Sequence, residues 1–272
     1  MSKQILVLGS TGNVGRRLVE LLEAAGETVV AASRTGAVRF DYSDPATFGP
    51  ALQGVDRVFL VTPPGHLAAH ELLGPFLDAA LPVVRKVVLL SADGVQFNDQ
   101  APLRQVELRL ERSGLPYVIL RPNWFMDNFH TFWLAPMRAA GVIPLPAAEA
   151  RTAFIDARDI AASAAAALQS DAYDNQAFSL SGPEALTYAE AAEVISRHAG
   201  RTITYMPIED GPFVESLTQA GLPADYSQFL AVLFGFVRQG AASAVTDSVQ
   251  RLTGREPGTL EAYAARHADA WR

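Results

Sequence analysis

Three glycines carry the first chemical signal: Gly9, Gly12 and Gly15 recur at every third position, between the apolar run Ile5–Leu8 and the helical pattern Val14, Leu18, Leu21, Leu22. At a strand-to-helix turn, Gly9 permits the tight bend. Gly12 removes a Cβ where a ligand approaches, and Gly15 lets the helix pack closely. The unpaired N–H groups of the first helical turn then face negative charge. Ser10, Thr11, Asn13 and Val14 complete the loop. With following strand–helix units, this pattern predicts a dinucleotide whose diphosphate rests on that helix start. The lysine of an ATP-binding P-loop is absent.

The residues after the second strand predict which dinucleotide. Thr28–Ala32 runs into Ser33 and Arg34, without the acidic residue that holds a free ribose 2′-hydroxyl. An arginine there can pair with a 2′-phosphate, and Arg39 can assist. NADPH is therefore the expected cofactor, with NADH still able to fit. Asp41, after a short third strand (Val38–Phe40), is placed to bond the adenine amino group. Val61, Thr62, Pro63 and Pro64 line the ribose and nicotinamide side.

Stepping along the chain, apolar runs at 5–8, 28–32, 57–62, 86–90, 116–120 and 177–180 alternate with helical patterns at 13–25, 45–53, 65–80 and 101–113. That rhythm predicts an α/β fold: a Rossmann-type doubly wound parallel sheet covered on both faces. Asp44-Pro45 reads as an N-cap with proline behind it, and Thr187–Glu190 reads as a capping box. From Pro122 the rhythm changes. Stretches 122–150 and 201–240 read as excursions that build a pocket and lid, the latter without clear strand–helix alternation. The expected division is 1–150, mainly the NAD(P)-binding core, and 151–272, the remaining core elements and a small substrate-binding lobe from separated C-terminal segments, intertwined as one unit.

The chain has 272 residues, 49% of them apolar, and no cysteine, so disulfides and thiol chemistry are excluded. A net charge of -7, with only two lysines, Lys3 and Lys86, leaves no positive field for nucleic acid. No apolar window is long enough for a membrane span, and the first residues are too short for an export signal, so cytoplasmic residence is expected. His66 and His70 stand four apart but lack a third ligand, which reads as polar helix surface; no metal is expected.

At this point the sequence resembles the NmrA-like branch of the atypical short-chain dehydrogenases/reductases. The matching pieces are GSTGNVG (9–15), Ser33-Arg34, FDYSDPATFGPALQGVDRVFLV (40–61), LPYVILRPNWFMDNF (115–129), AFIDARDIA (153–161) and SVQRLTGREPGTLEAYAARHAD (248–269). The resemblance implies an NAD(P)-binding core with a small second lobe. It is similar to NAD(P)H-dependent quinone oxidoreductases and natural-product tailoring enzymes, and the family also holds nucleotide-sensing regulators. Ser91 matches the superfamily serine. The usual tyrosine and lysine, four residues apart on the next helix, are missing; Arg104 and Glu107 are its polar residues facing the site edge.

The expected activity is hydride transfer from NAD(P)H to a planar activated acceptor: a quinone, an aromatic polyketide-type ketone or an imine. Such an acceptor needs positioning more than a strong protein acid. Ser91, Tyr226 and His66 are the candidate catalytic groups, Ser91 also touching cofactor. Asp93, Asn123, Trp124, Asn128, Phe129, Phe132, Trp133 and Phe229 are the candidate substrate contacts, the aromatic ones by stacking. Asp156, Arg158 and Asp159 read instead as an N-cap and internal ion pair. The expected partner is a small planar organic molecule, and the protein a monomer or homodimer. The alternatives are an oxygenase-type tailoring of an aromatic substrate that uses nicotinamide, and a non-catalytic NAD(P) redox sensor.

Overall fold

The computed structural model describes residues 4–272. The chain begins with β1 (Gln4–Leu8), α1 (Asn13–Ala24), β2 (Thr28–Ser33), β3 (Val38–Arg39), α2 (Phe48–Leu52) and β4 (Val55–Val61). It continues through α3 (Ala69–Ala80), β5 (Lys86–Leu90), α4 (Pro102–Arg112), β6 (Tyr117–Pro122), α5 (Leu134–Ala140), β7 (Val142–Leu145) and β8 (Arg151–Thr152). Then come α6 (Ala157–Gln169), β9 (Gln176–Leu180), β10 (Leu186–Thr187), α7 (Tyr188–Ala199), β11 (Thr204–Pro207), α8 (Asp210–Gln219), α9 (Ala224–Arg238), α10 (Ser248–Thr253) and α11 (Leu260–His267).

The chain divides into two compact units, each assembled from separated segments. The first runs to Pro122 and adds Ala157–Leu180 and Ser248–Arg255. It holds a seven-stranded sheet in the order β3-β2-β1-β4-β5-β6-β9, with every pairing parallel. The order reverses between β1 and β4, the switch point at which ligands of such sheets bind. Alternation along the strands explains why both faces are covered. Leu6, Leu8, Val58, Leu60, Val87 and Leu89 share a core with α2, α3 and α4. Ile5, Val7, Phe59 and Val88 point the other way and are equally buried, on the face where α1 and α6 pack together.

Local signals behave as their chemistry requires. Asp44 accepts a bond from the Ala46 N–H at 3.3 Å, closing the turn that leads into α2. Thr187 and Glu190 form the reciprocal capping box of α7, at 3.1 and 2.8 Å. One boundary moves. The helix expected over 65–80 begins at Ala69, so His66 lies in the preceding turn and shares no helix face with His70.

The second unit comprises Asn123–Asp156, Ser181–Asp247 and Glu256–Arg272. Its core is aromatic: Phe129, Trp133, Phe154, Tyr188, Phe213, Phe234, Tyr263 and Trp271 are all buried. Two small sheets flank it, β7 with β11 in parallel and β8 with β10 antiparallel. The stretch 201–240, expected to lack regular alternation, contains β11, α8 and α9. Its apolar residues are spaced to fill this core rather than a sheet face, which hid the pattern. Asp156 is buried and pairs with Arg266, a partner from the C-terminal segment that the sequence reading did not name. No helix among the described residues is long and apolar enough to cross a membrane.

Candidate functional site

Because the seven strands are parallel, their carboxyl ends share one edge, where the first unit gathers Gly9, Ser33, Thr62 and Ser91. Gly9 has φ +66°, a left-handed conformation that a side chain would strain. Its carbonyl accepts the Gly12 N–H at 2.9 Å and closes the turn. The Ser10 N–H donates to the Ala32 carbonyl at 3.2 Å, tying the turn to β2. A Cβ on Gly15 would lie 2.2 Å from the Gly9 oxygen, so only glycine lets α1 seat against the turn. At Gly12 a Cβ would meet only that same oxygen, at 3.2 Å.

Gly12 is the N-cap of α1, and no side chain caps that helix. Its first N–H groups are left to a ligand or solvent. Thr11, Gly12 and Asn13 are exposed, while Val14 and Gly15 are buried. The hydroxyls of Ser33 and Thr62, at the ends of β2 and β4, are buried and have no hydrogen-bond partner among the described residues. Gly36, which sequence reasoning missed, packs closely on one of them: a Cβ there would stand 2.8 Å from Ser33 Oγ. The signal was present as a glycine three residues after Ser33. Uncapped amides and glycines at points of close approach fit a dinucleotide diphosphate at this turn, with the Ser33 and Thr62 hydroxyls buried beside it.

Arg34 is exposed and in no ion pair among the described residues, free for a phosphate. Arg39, expected to assist, is instead drawn to Asp44 at 3.3 Å. Asp41 accepts the Ser43 N–H at 2.9 Å and hydroxyl at 2.7 Å, both on Oδ1. Those bonds, with Arg34 and Arg39 adding attraction, hold its carboxyl below the usual range. Its second oxygen accepts no hydrogen bond among the described residues. The Val61 carbonyl accepts the Tyr42 hydroxyl at 2.8 Å, and its side chain packs beside Gly9. Pro63 is half-buried beside Thr62.

Ser91 differs from expectation. It is buried, and its hydroxyl donates to Glu107 Oε1 at 2.5 Å. Glu107, expected at the site edge, is fully buried. Arg121 Nε and Nη2 donate to its two oxygens at 2.9 and 2.7 Å, and Arg104 Nη1 adds a bond at 2.8 Å. Burial opposes the charge, but Arg121, the Ser91 hydroxyl and Arg104 outweigh it and hold the carboxyl below its usual range. The helix face that faces β6 needs a counter-ion for Arg121, and Glu107 supplies it. Arg121 was missed; a lone arginine inside an apolar strand was its only signal. α4 carries neither tyrosine nor lysine.

Asp93 ties a loop, accepting from Ser179 at 2.7 Å and Gln96 at 3.2 Å, both on Oδ1. His66 is exposed, in the turn after Pro64.

In the second unit, Asn123 is buried with its amide on the Ala242 carbonyl at 2.8 Å and its oxygen on the Trp124 N–H at 2.7 Å. It holds main chain with both ends of its amide. Phe129 and Trp133 are core residues, fully or nearly buried against Phe154 and Tyr188, which corrects their expected stacking role. Trp124 is half-buried on Trp133 and Phe234. Phe132 and Phe229 are exposed, Asn128 and Tyr226 are half-buried, and the Tyr226 and Phe229 rings lie 6.3 Å apart.

Comparison with known proteins agrees with this geometry. Residues 100–264 match the NmrA-like family, and residues 9–171 match an NAD(P)H-binding family. An uncharacterised oxidoreductase of Bacillus subtilis, YesF, is 38% identical over 100% of this chain and 98% of its own. The NAD(P)H azoreductase of Xenophilus azovorans is 31% identical, covering 98% and 99%. The solved structure of an NADPH-dependent quinone oxidoreductase of Escherichia coli, complexed with NADPH, superposes with a TM-score of 0.80 at 22% identity, covering 96% and 99%.

Proposed function

Since the chain belongs to the NmrA-like family, we propose that it is an NAD(P)H-dependent reductase of planar, activated acceptors, among them quinones, imines and azo compounds. The observation that carries this reading is the uncapped, glycine-lined start of α1 at the switch point of the parallel sheet.

The cofactor supplies the hydride when bound. The α1 amides and Ser10 to Asn13 hold its diphosphate, Arg34 holds a 2′-phosphate, and Asp41 holds adenine. Ser33 and Thr62 bond ribose, and Val61 and Pro63 wall the nicotinamide side. Without a tyrosine–lysine pair, the chain lacks a strong acid on α4. That suits acceptors already electron-poor, for which orientation and exclusion of water lower most of the barrier. Trp124, Phe132 and Phe229 are proposed contacts for a flat acceptor, with Asn128 or the Tyr226 hydroxyl as polar partner. A small organic partner in the cytoplasm and a monomeric or dimeric state complete the proposal.

The test is direct: purified protein with NADPH and menadione is to lose the absorbance of the reduced cofactor in proportion to enzyme. Silence with quinones, imines and azo dyes, despite tight cofactor uptake, would favour the redox-sensor alternative, which the missing acid on α4 supports.

A further inference from the structure

The Ser91 hydroxyl has one proton and two lone pairs. The proton goes to Glu107 Oε1 at 2.5 Å. Glu107 cannot be the donor in that bond, because Arg121 and Arg104 together place three guanidinium N–H groups on its carboxylate and hold it ionised. The direction of the Ser91 bond is therefore set from behind. What Ser91 can still offer is its lone pairs, and no described residue donates to them. It stands at the carboxyl end of β5, hydrogen-bonded through its N–H to the Leu120 carbonyl at 2.8 Å, on the sheet edge that carries the glycine turn.

We propose that Glu107 is a positioning residue that fixes Ser91 as a hydrogen-bond acceptor, so that this point of the site takes an N–H donor: the nicotinamide carboxamide, or the protonated nitrogen of an iminium-type acceptor. The inference rests on the reductase reading above. It reverses the role expected of a strand-end serine, which would donate to a carbonyl oxygen as charge develops there. An iminium acceptor needs no such donor. Its carbon gains the hydride, its nitrogen keeps its proton and becomes a neutral amine, and the nicotinamide is left oxidised. A quinone oxygen gains nothing from lone pairs and takes its proton from water.

Ser91→Ala removes the acceptor and leaves the Glu107–Arg121 pair in place. Two arms separate the sources of the N–H. In the first, binding is followed by fluorescence with NADPH and with its acetylpyridine analogue, which lacks the amide N–H. A loss of about fivefold for NADPH alone, the scale of one hydrogen bond, assigns the carboxamide. In the second, steady-state rates are compared on a dihydroisoquinolinium salt and on menadione. A KM raised about fivefold for the iminium alone assigns the acceptor nitrogen.

Equal losses on all these ligands, or no loss on any, overturn the proposal. Glu107→Gln can donate its amide to Ser91 and turn the serine proton outward, so it is expected to erase the same preference for N–H ligands; a retained preference overturns the positioning role. If Glu107→Gln does not fold, as a melting curve would show, Ser91→Ala decides alone. A wild-type protein that takes up neither cofactor defeats the reductase reading and this inference together. Normal uptake and turnover with an indifferent Ser91→Ala defeats this inference only.

Discussion

A Cβ built on Gly15 lies 2.2 Å from the carbonyl oxygen of Gly9, which is itself held at φ +66°. The two glycines thus define one contact: the start of the first helix seated on the turn that precedes it. Gly15→Ala must push helix and turn apart. Overpacking of this kind costs about 1–3 kcal/mol. The expected outcome is a lowered melting temperature with NADPH affinity lost by more than the fold weakens, read by thermal melting and calorimetric titration.

Ser33→Ala and Thr62→Val are expected to move stability and binding in opposite directions. Each removes a buried hydroxyl without a partner. Such a group costs about 1–3 kcal/mol in the unliganded fold. The melting temperature of the cofactor-free protein should hold or rise while NADPH affinity falls. A matched fall in both would defeat the ribose assignment.

Arg34→Ala should weaken NADPH about tenfold or more, the scale of a charge-assisted bond to phosphate, and NADH little. Binding constants for the two cofactors check this, and equal loss would remove Arg34 from the phosphate role. Arg39→Ala should affect neither, because Arg39 is occupied by Asp44.

Acid should expose the buried cluster. Glu107 has a folded-state carboxyl held below its ordinary range despite burial. Its contribution is therefore present above the unfolded pKa and is lost as pH falls through the folded one. Stability should decline below the ordinary carboxylate range more steeply in wild type than in Glu107→Gln. The same substitution costs about 3 kcal/mol at neutral pH, because Arg121 loses its counter-charge, whereas Arg104 keeps Glu111 and Asp99. Melting curves between neutral and acid pH measure both effects.

Among the aromatics, Phe129→Ala should cost about 3–5 kcal/mol, since its ring is fully buried. Phe229→Ala, at a residue 41% exposed, should stay within about 0.5 kcal/mol in stability and raise acceptor KM. Chemical denaturation of the two variants separates core from pocket.

The sequence by itself determined the alternating strands and helices, the glycine turn, the caps at Asp44 and Thr187, and the absence of tyrosine and lysine from α4. These are local properties: a strand, a turn or a cap is specified by residues within a few positions of one another. What only the tertiary structure decided is which side chains are already spoken for. Ser91, Glu107 and Arg121 come from the end of β5, from α4 and from β6, and their shared bonds commit the Ser91 proton inside the protein. Phe129 and Trp133 have the same composition signal as Phe132 and Phe229, yet burial against Phe154 and Tyr188 makes them core. Asp93 is tied to Ser179, far along the chain. Burial and partnership depend on which distant segments meet, and no local pattern encodes that meeting.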